Sequence, residues 1–184
     1  MDNFDLLLAK KLNGGGGGTQ LPTVAELSNN TLTSLFGVGI TYARTRIFEG
    51  NSNLKTVVFP DLINTSTYIG NSSGIETIDI GSSFSTIPNA MFQASNLGTL
   101  ILRRTSIVAT GANGLGGTKF KSGGAGGEIY IPKVLYDHLG DSTSSDYKHA
   151  TNWSTIDGYG TITWKQIEGS IYETQYADGT PIGG

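Results

Sequence analysis

The segment Gly74-Ile75-Glu76-Thr77-Ile78-Asp79-Ile80 is one copy of a pattern that recurs along the chain at a nearly constant interval and predicts the fold. The related segments begin at Thr31, Asn53 and Asn96. Their leading apolar residues lie 22, 21 and 22 residues apart, at Leu32, Leu54, Ile75 and Leu97. A repeat at this interval predicts a solenoid, in which each unit adds one coil to a continuous hydrophobic core.

Each unit has the form apolar-x-x-apolar-x-apolar, and its last two apolar positions alternate as they do in a short strand. The second apolar position is held by Leu35, Val57, Ile78 and Leu100. The third is held by Phe59, Ile80 and Leu102, with Gly37 as the exception in the first unit. Another apolar cluster lies six residues before three of the units, at Phe48, Ile69 and Met91 with Phe92. The pattern predicts one strand per coil, with this cluster filling the other side.

The repeat resembles the BspA-type leucine-rich repeat. Residues 74–95 carry the likeness best, because Ile87, Ala90 and Phe92 match the second half of that family's unit. Phe59-Pro60 matches its strand-ending proline. The resemblance covers about residues 30–135 and implies a short leucine-rich-repeat solenoid, with a β-strand and a turn or short helix in each repeat of about 22 residues.

After Leu102 the pattern decays into a glycine-rich stretch, 111–127, and we interpret its first part, 111–119, as a flexible insertion between coils. Ile129-Tyr130-Ile131-Pro132 then predicts a final strand. The run 147–154 resembles the helical close that follows the last BspA-type strand, with Trp153 covering the exposed end. Alternating runs at 161–164 and 171–172 predict a terminal hairpin. Residues 136–184 would form a C-terminal capping region and tail.

The first thirteen residues have the pattern of a short amphipathic helix, followed by a glycine-rich linker and lead-in at 14–29. Its apolar face holds Phe4, Leu7, Leu8 and Leu12. So short a helix is marginal alone, and five consecutive glycines form a flexible tether. We therefore expect an anchoring helix, 1–13, that docks on a partner. A disordered terminus with accidental periodicity is the alternative.

Composition disfavours nucleic acid and membranes as partners. Twelve Lys and Arg residues against 15 Asp and Glu give a net charge of -3, which supplies no basic field for nucleic acid. The chain has 27 glycines and no cysteine, which excludes disulfides and cysteine-ligated zinc. The N-terminus lacks the features of a secretory signal, and no stretch reaches the ~18 apolar residues of a membrane span.

The sequence shows no motif that carries chemistry. His138 and His149 lie near Asp137, Asp141 and Asp146, but their spacing fits neither a zinc site nor an EF-hand, so a solvated loop is the preferred interpretation. The run 111–119 lacks the ending of a phosphate-binding loop. We assign no catalytic, cofactor-binding or metal-binding residue, and expect a non-enzyme.

Aromatic residues cluster near the C-terminus, and three of them, Trp164, Tyr172 and Tyr176, are candidates for surface binding. If exposed, they could stack on sugars or form the centre of an interface. If buried, they would close the solenoid, and this is the favoured interpretation.

The N-terminal run Phe4-Asp5-Leu6-Leu7-Leu8-Ala9-Lys10-Lys11-Leu12, with the glycines after it, is similar to the starts of virion proteins from tailed phages of gut bacteria. This resemblance implies a virion structural protein, a head or tail fibre or decoration appendage assembled in the host cytoplasm. The helix would bind capsid, portal or tail proteins, and the repeats would bind a host-surface protein or glycan. Homo-oligomers stay open, because no heptad run specifies one.

Two alternatives remain. A bacterial BspA-like adhesion protein at the cell surface would share the repeats, but we would expect an export signal or a wall-sorting tail. A carbohydrate-active enzyme would need Asp137, Asp141 or Glu128, and nothing in the sequence places two carboxylates across a cleft.

Overall fold

The computed structural model describes residues 32–70, 73–92, 96–111, 113–115, 118, 120, 126–142, 146–153 and 162–183. The predicted anchoring helix and glycine-rich linker lie outside the described residues. Within them, no helix is long and apolar enough to cross a bilayer.

The described chain is built mainly from parallel strands. Ten strands are formed by β1 Ser34–Phe36, β2 Tyr42–Ala43, β3 Thr56–Phe59, β4 Asn64–Thr65, β5 Thr77–Ile80, β6 Thr86–Ile87, β7 Thr99–Leu102, β8 Ala109–Thr110, β9 Gly127–Ile131 and β10 Ile162–Gln166. The described helices are α1, Lys133–Tyr136, and a 3₁₀ helix, Ile171–Glu173. Strands β1, β3, β5, β7, β9 and β10 form one six-stranded sheet in that order, and all of its pairs are parallel.

The register of the sheet pairs the residues that the sequence alignment placed at equivalent positions. Leu35 lies opposite Val57, Val57 opposite Ile78, and Ile78 opposite Leu100. Leu100 in turn lies opposite Ile129. Connections of 17 to 24 residues return the chain to the neighbouring parallel position from β1 through β9, which is compatible with a solenoid-like fold.

The side away from the main sheet is formed by very short strands and turns. Strands β2 and β4 pair in parallel, as do β6 and β8. The turns that follow β2, β4 and β6 each hold one residue in the left-handed region, at Arg46, Tyr68 and Ala90, with φ of 61°, 58° and 57°. The N–H of Arg46 donates to the Tyr68 carbonyl over 3.1 Å, and that of Tyr68 to the Ala90 carbonyl over 3.2 Å. Backbone hydrogen bonds therefore join these turns to one another, just as they join the strands of the sheet.

The core lies between these two sides. The six residues predicted to point inward are all at most 1% exposed: Leu54, Val57, Ile75, Ile78, Leu97 and Leu100. The second apolar cluster, which includes Phe48 and Ile69, belongs to the same core. The interpretation of 111–119 as a flexible insertion needs correction, because Leu115 within it is fully buried in this core, as is Phe120 directly after it.

The C-terminal end differs from the prediction. Strand β10 does not form a hairpin but joins the sheet parallel to β9, with Trp164 opposite Ile129. A parallel return needs a long crossover, and the thirty residues between the two strands, including α1, supply it. The run 171–172 lies in the 3₁₀ helix. Trp153 is fully buried, and its Nε1 donates to the Val108 carbonyl over 2.6 Å, so it fills the core beneath β10.

Candidate functional site: the outer face of the sheet

One residue from each strand of the main sheet forms a continuous row on the face that points away from the core. This outer row consists of Phe36, Val58, Asp79, Ile101, Tyr130 and Lys165, which lie opposite one another in that order. Each alternates along its strand with residues that face inward. The first four are nevertheless buried, at 7%, 0%, 0% and 0% exposure. Another part of the chain must therefore cover the outer face.

The cover is a C-terminal strap, residues 170–183. Ser170 caps the 3₁₀ helix by accepting a hydrogen bond from the Tyr172 N–H at 3.1 Å. A tight turn follows, in which the Tyr176 N–H donates to the Thr180 carbonyl at 2.8 Å and Asp178 accepts from the Thr180 N–H. No strap residue is itself buried, so the strap is a single layer between the outer row and solvent.

A buried ion pair fastens the strap to the sheet. Asp79 accepts two hydrogen bonds from the Arg103 guanidinium, from Nε to Oδ1 and from Nη2 to Oδ2, both 2.7 Å long. The same guanidinium donates to the strap carbonyls of Tyr172, at 2.8 Å, and Gln175, at 3.1 Å. The Ala177 N–H completes the set by donating to Asp79 Oδ2 at 2.9 Å. We call this arrangement the clasp.

The charged groups of the clasp are almost completely buried. The Asp79 side chain is 0% exposed and that of Arg103 is 13% exposed. Burial raises the pKa of Asp79 above its ordinary value, whereas the hydrogen bonds from Arg103 and Ala177 act in the opposite direction. A bidentate guanidinium is well suited to a buried carboxylate, because it satisfies both oxygens in one plane.

Aromatic contacts hold the strap at both ends of the outer row. Tyr176 meets the ring of Phe36 edge-on at 5.3 Å between centroids, and the Arg103 guanidinium lies 4.8 Å from the Tyr176 centroid. Tyr172 meets Tyr130 edge-on at 4.7 Å. Burial raises the pKa of both strap tyrosines. The strap thus runs over the row from Tyr130 to Phe36.

The end of the row near Tyr130 is open to solvent and carries charge. Lys165 Nζ lies 2.6 Å from Glu128 Oε1 and 5.4 Å from the Tyr130 ring centroid. The Tyr130 hydroxyl donates to Glu128 at 3.1 Å. The hydrogen bond from Lys165 lowers the pKa of Glu128, and that from Glu128 raises the pKa of Lys165. Together with Tyr172, these side chains form a half-exposed aromatic and charged cluster.

Beside the outer row lies a second row that is polar and only partly covered. This polar row contains Ser34, Thr56, Thr77, Thr99, Glu128 and Thr163, one from each strand in register. Five of the six are half-exposed and Thr163 is exposed. Neighbouring strands lie ~4.8 Å apart, so the row presents hydroxyl groups at a regular spacing from Ser34 to Thr99, followed by the Glu128 carboxylate.

The three predicted binding residues lie in different environments. Trp164 is 9% exposed and packs against the core, with its ring centroid 5.8 Å from that of Trp153, so the favoured interpretation of burial holds for it and it offers no exposed ring for surface binding. Its strand position alternates with Lys165, which faces outward. Tyr172 and Tyr176 are half-buried, and each uses one edge or face of its ring to hold the strap.

The clasp is absent from the sequence-based predictions, which give Asp79 and Arg103 no role. The sequence feature that could have revealed the clasp is the position of Asp79 in the outer row. The residues at the equivalent positions of the neighbouring strands, Val58 and Ile101, are apolar. This pattern indicates a second buried face that contains one carboxylate.

The aspartates and histidines considered as metal ligands or catalytic groups are paired with residues close to them in the sequence. Asp137 Oδ2 lies 2.6 Å from Lys133 Nζ, and Asp141 Oδ2 lies 2.8 Å from His138 Nδ1. Among the residues that the structure describes, no three His, Cys, Asp or Glu side chains are grouped so as to hold a metal ion.

Comparison with known proteins found no matching family model, no matching curated protein and no matching solved structure. The fold and the contacts described above are therefore the basis for a functional proposal.

Proposed function

We propose that this chain is a leucine-rich-repeat solenoid that serves as a binding module, and that its outer face is the binding surface. The observation that carries the proposal is the continuous outer face itself. Its strap is held by a buried clasp, and its polar row and the cluster at Tyr130 remain accessible. Solenoids commonly bind through such extended faces, because each coil adds one more row of contacts.

The chemistry of this surface suits a polar partner, a host-surface protein or a glycan. Regularly spaced hydroxyls can donate and accept hydrogen bonds, and half-exposed tyrosines offer ring surface for stacking on sugars or on apolar side chains. Lys165 and Glu128 would add charge at one end.

A substitution on the polar row tests the surface. Thr77→Arg would place a long charged side chain in the middle of the row, and we expect it to abolish binding to host cells in a pull-down or cell-binding assay. Thr86→Arg is the matched control, because Thr86 also precedes a buried isoleucine but lies on β6, away from the main sheet. Equal binding by both variants would place the binding surface elsewhere.

We further propose that the module is a phage head or tail appendage, anchored in the virion by the helix predicted over 1–13. The supports are the resemblance of the N-terminal run to virion proteins and its apolar face of Phe4, Leu7, Leu8 and Leu12. Burying these four side chains would contribute ~6–12 kcal/mol before ordering costs, which is enough to hold an appendage on a particle.

Mass spectrometry of purified particles tests this location, and absence of the chain from the virion would overturn it. Deleting residues 1–13 should leave the repeat domain folded and abolish incorporation. Leu8→Asp should do the same, whereas Lys10→Asp, on the opposite face of the predicted helix, should still be incorporated. Incorporation of the deleted chain would show that the helix is not the anchor.

A further inference from the structure

The side chains of Ser142, His149 and Asp146 are joined in series by hydrogen bonds, and the proposed binding function does not use them. Ser142 Oγ lies 3.2 Å from His149 Nε2, and His149 Nδ1 lies 2.5 Å from Asp146 Oδ2. The imidazole therefore stands between a hydroxyl and a carboxylate, with a different ring nitrogen toward each. This is the order of groups by which a serine hydroxyl is activated as a nucleophile.

The carboxylate end of this chain is buried and firmly held. Asp146 is 0% exposed and accepts hydrogen bonds from the backbone N–H groups of Gly140, Ser142 and Lys148 at 2.9, 3.2 and 2.9 Å. Burial acts to raise the pKa of Asp146, but the hydrogen bonds from His149 and the backbone outweigh it, and the pKa is lowered. Asp146 is thus kept as a carboxylate that holds the imidazole through Nδ1.

The serine end is open to solvent and is presented by a strained backbone. The side chain of His149 is 51% exposed, and Ser142 is exposed as well. Ser142 has a φ of 56°, in the left-handed region that residues other than glycine rarely adopt. Its N–H donates to Asp146 in this conformation. A small electrophile can reach Ser142 Oγ without displacing any core residue.

We propose that Ser142 is a reactive nucleophile, with His149 as its general base and Asp146 as the residue that positions the imidazole, and that the site accepts acyl groups from small activated esters. Ser142 Oγ would attack the ester carbonyl and pass its proton to His149 Nε2. The alcohol would leave with that proton, which gives an acyl-serine. Water, deprotonated by His149, would then release the acid and restore Ser142.

The neighbouring amides explain the restriction to activated esters. The N–H groups of Gly140 and Ser142 already donate to Asp146, and that of Asp141 donates to the His138 carbonyl at 3.2 Å. None of these three amides is available to stabilise an oxyanion. Esters with a good leaving group depend least on such stabilisation, so they are the expected class of substrate.

The test uses the full chain and diisopropyl fluorophosphate, which phosphorylates an activated serine. Ser142 Oγ would bond to phosphorus, the P–F bond would break, fluoride would leave, and the serine proton would pass through His149 to solvent. Peptide mass spectrometry should locate one adduct at Ser142. Ser106, an exposed serine whose hydroxyl accepts from Arg104, is the internal control and should stay unmodified. No adduct at Ser142, or equal modification of Ser106, would overturn the proposal.

Variants then separate the roles. His149→Ala should slow labelling of Ser142 by ~100-fold or more, since general bases contribute about that factor, and added imidazole should restore part of the rate. His138→Ala is the matched control: His138 also pairs with an aspartate, through Asp141, but touches no described serine, and its loss should leave the rate unchanged. An unchanged rate in His149→Ala would refute the proposal.

Asp146 needs a readout that is separate from its role in holding the loop. At equal folded fraction, Asp146→Glu should retain more labelling than Asp146→Asn, because glutamate keeps the negative charge beside the imidazole and asparagine keeps only the size. The reverse order would show that Asp146 acts through packing alone. The same variants should bind host cells normally, so failure of this proposal and failure of the binding function are distinguishable.

Discussion

Replacing Arg103 by alanine is the most informative perturbation of the fold, because one side chain connects the sheet to the strap. The variant loses both hydrogen bonds to Asp79 and both to strap carbonyls. If the strap stays in place, Asp79 is left as an unpaired carboxylate at 0% exposure. Removing one partner of a buried ion pair costs about 3–5 kcal/mol of the free energy of unfolding.

The strap sets an upper limit to this loss. If docking of the strap contributes less than the cost of burying the unpaired carboxylate, the strap will detach and Asp79 will regain water. Two measurements therefore belong together. Urea unfolding gives the loss of stability, and hydrogen exchange at the Ala177 amide, which donates to Asp79, reports whether the strap is docked.

Two further variants show that the unpaired charge is the cause. Arg104→Ala removes the neighbouring arginine, whose hydrogen bonds go to Ser106 and to the Ser83 carbonyl in exposed positions, and should change stability by less than about 0.5 kcal/mol. Replacing both partners, as Asp79→Leu with Arg103→Met, should destabilise less than Arg103→Ala alone, because no buried charge is left without a partner.

Acid should lessen the defect. Burial raises the pKa of Asp79, so its protonated form is the easier one to keep in the fold. A carboxyl whose folded pKa is raised favours folding below that pKa and loses the contribution as the pH rises through it. Without Arg103 this effect should grow, so the gap between wild type and Arg103→Ala should narrow toward pH 4. Wild-type stability with full protection at Ala177 in Arg103→Ala would refute the role assigned to the clasp.

Three other predictions concern the core. Ile78→Ala should lower the free energy of unfolding by about 2–5 kcal/mol in urea unfolding, because this fully packed residue lies in the middle strand, and an unchanged value would contradict the register. Gly81→Ala should destabilise by about 1–3 kcal/mol, because the added methyl group would overlap the Pro60 carbonyl oxygen, whereas Gly70→Ala makes only ordinary contacts and should be tolerated in the same thermal-melting assay. Burial raises the pKa of Tyr147 to about 12, so the stability contributed by keeping its phenol neutral is complete below pH 10 and is lost as the pH rises through 12; a tyrosinate titration in which all tyrosines ionise near pH 10 without unfolding would contradict this.

Local periodicity was sufficient to place the inward side of the sheet. Positions such as Val57, Ile78 and Leu100 could be aligned because similar residues recur at a nearly constant interval in the sequence, and the structure places them opposite one another on neighbouring strands. A turn or short helix after each strand was expected from the resemblance to the repeat family. The left-handed residues in the turns, such as Tyr68 and Ala90, were not expected, since neither residue type favours that conformation. At these residues the hydrogen bonds between successive turns determine the backbone conformation.

Contacts between distant parts of the chain could not be predicted from local sequence patterns. Strand β10 and the hairpin predicted in its place have the same alternating residues, and only the crossover that precedes the strand distinguishes a parallel return from an antiparallel one. The glycine-rich stretch was misjudged for a similar reason. Its composition is that of a flexible insertion, yet Leu115 and Phe120 supply apolar surface that the core of the adjoining coil needs.

The outer row shows how a covered face can be recognised from sequence. Strands that are solvated on one face alternate apolar and polar residues, but β3 and β7 are apolar at three successive positions. Val58 and Ile101 therefore require a cover, and β5 presents a carboxylate between them that requires a cation. The first residue after β7 is Arg103, one position beyond the strand and close enough to reach Asp79. An apolar row with one embedded acid, followed by an arginine at the next strand's end, thus predicts both a second covering layer and the residue that fastens it.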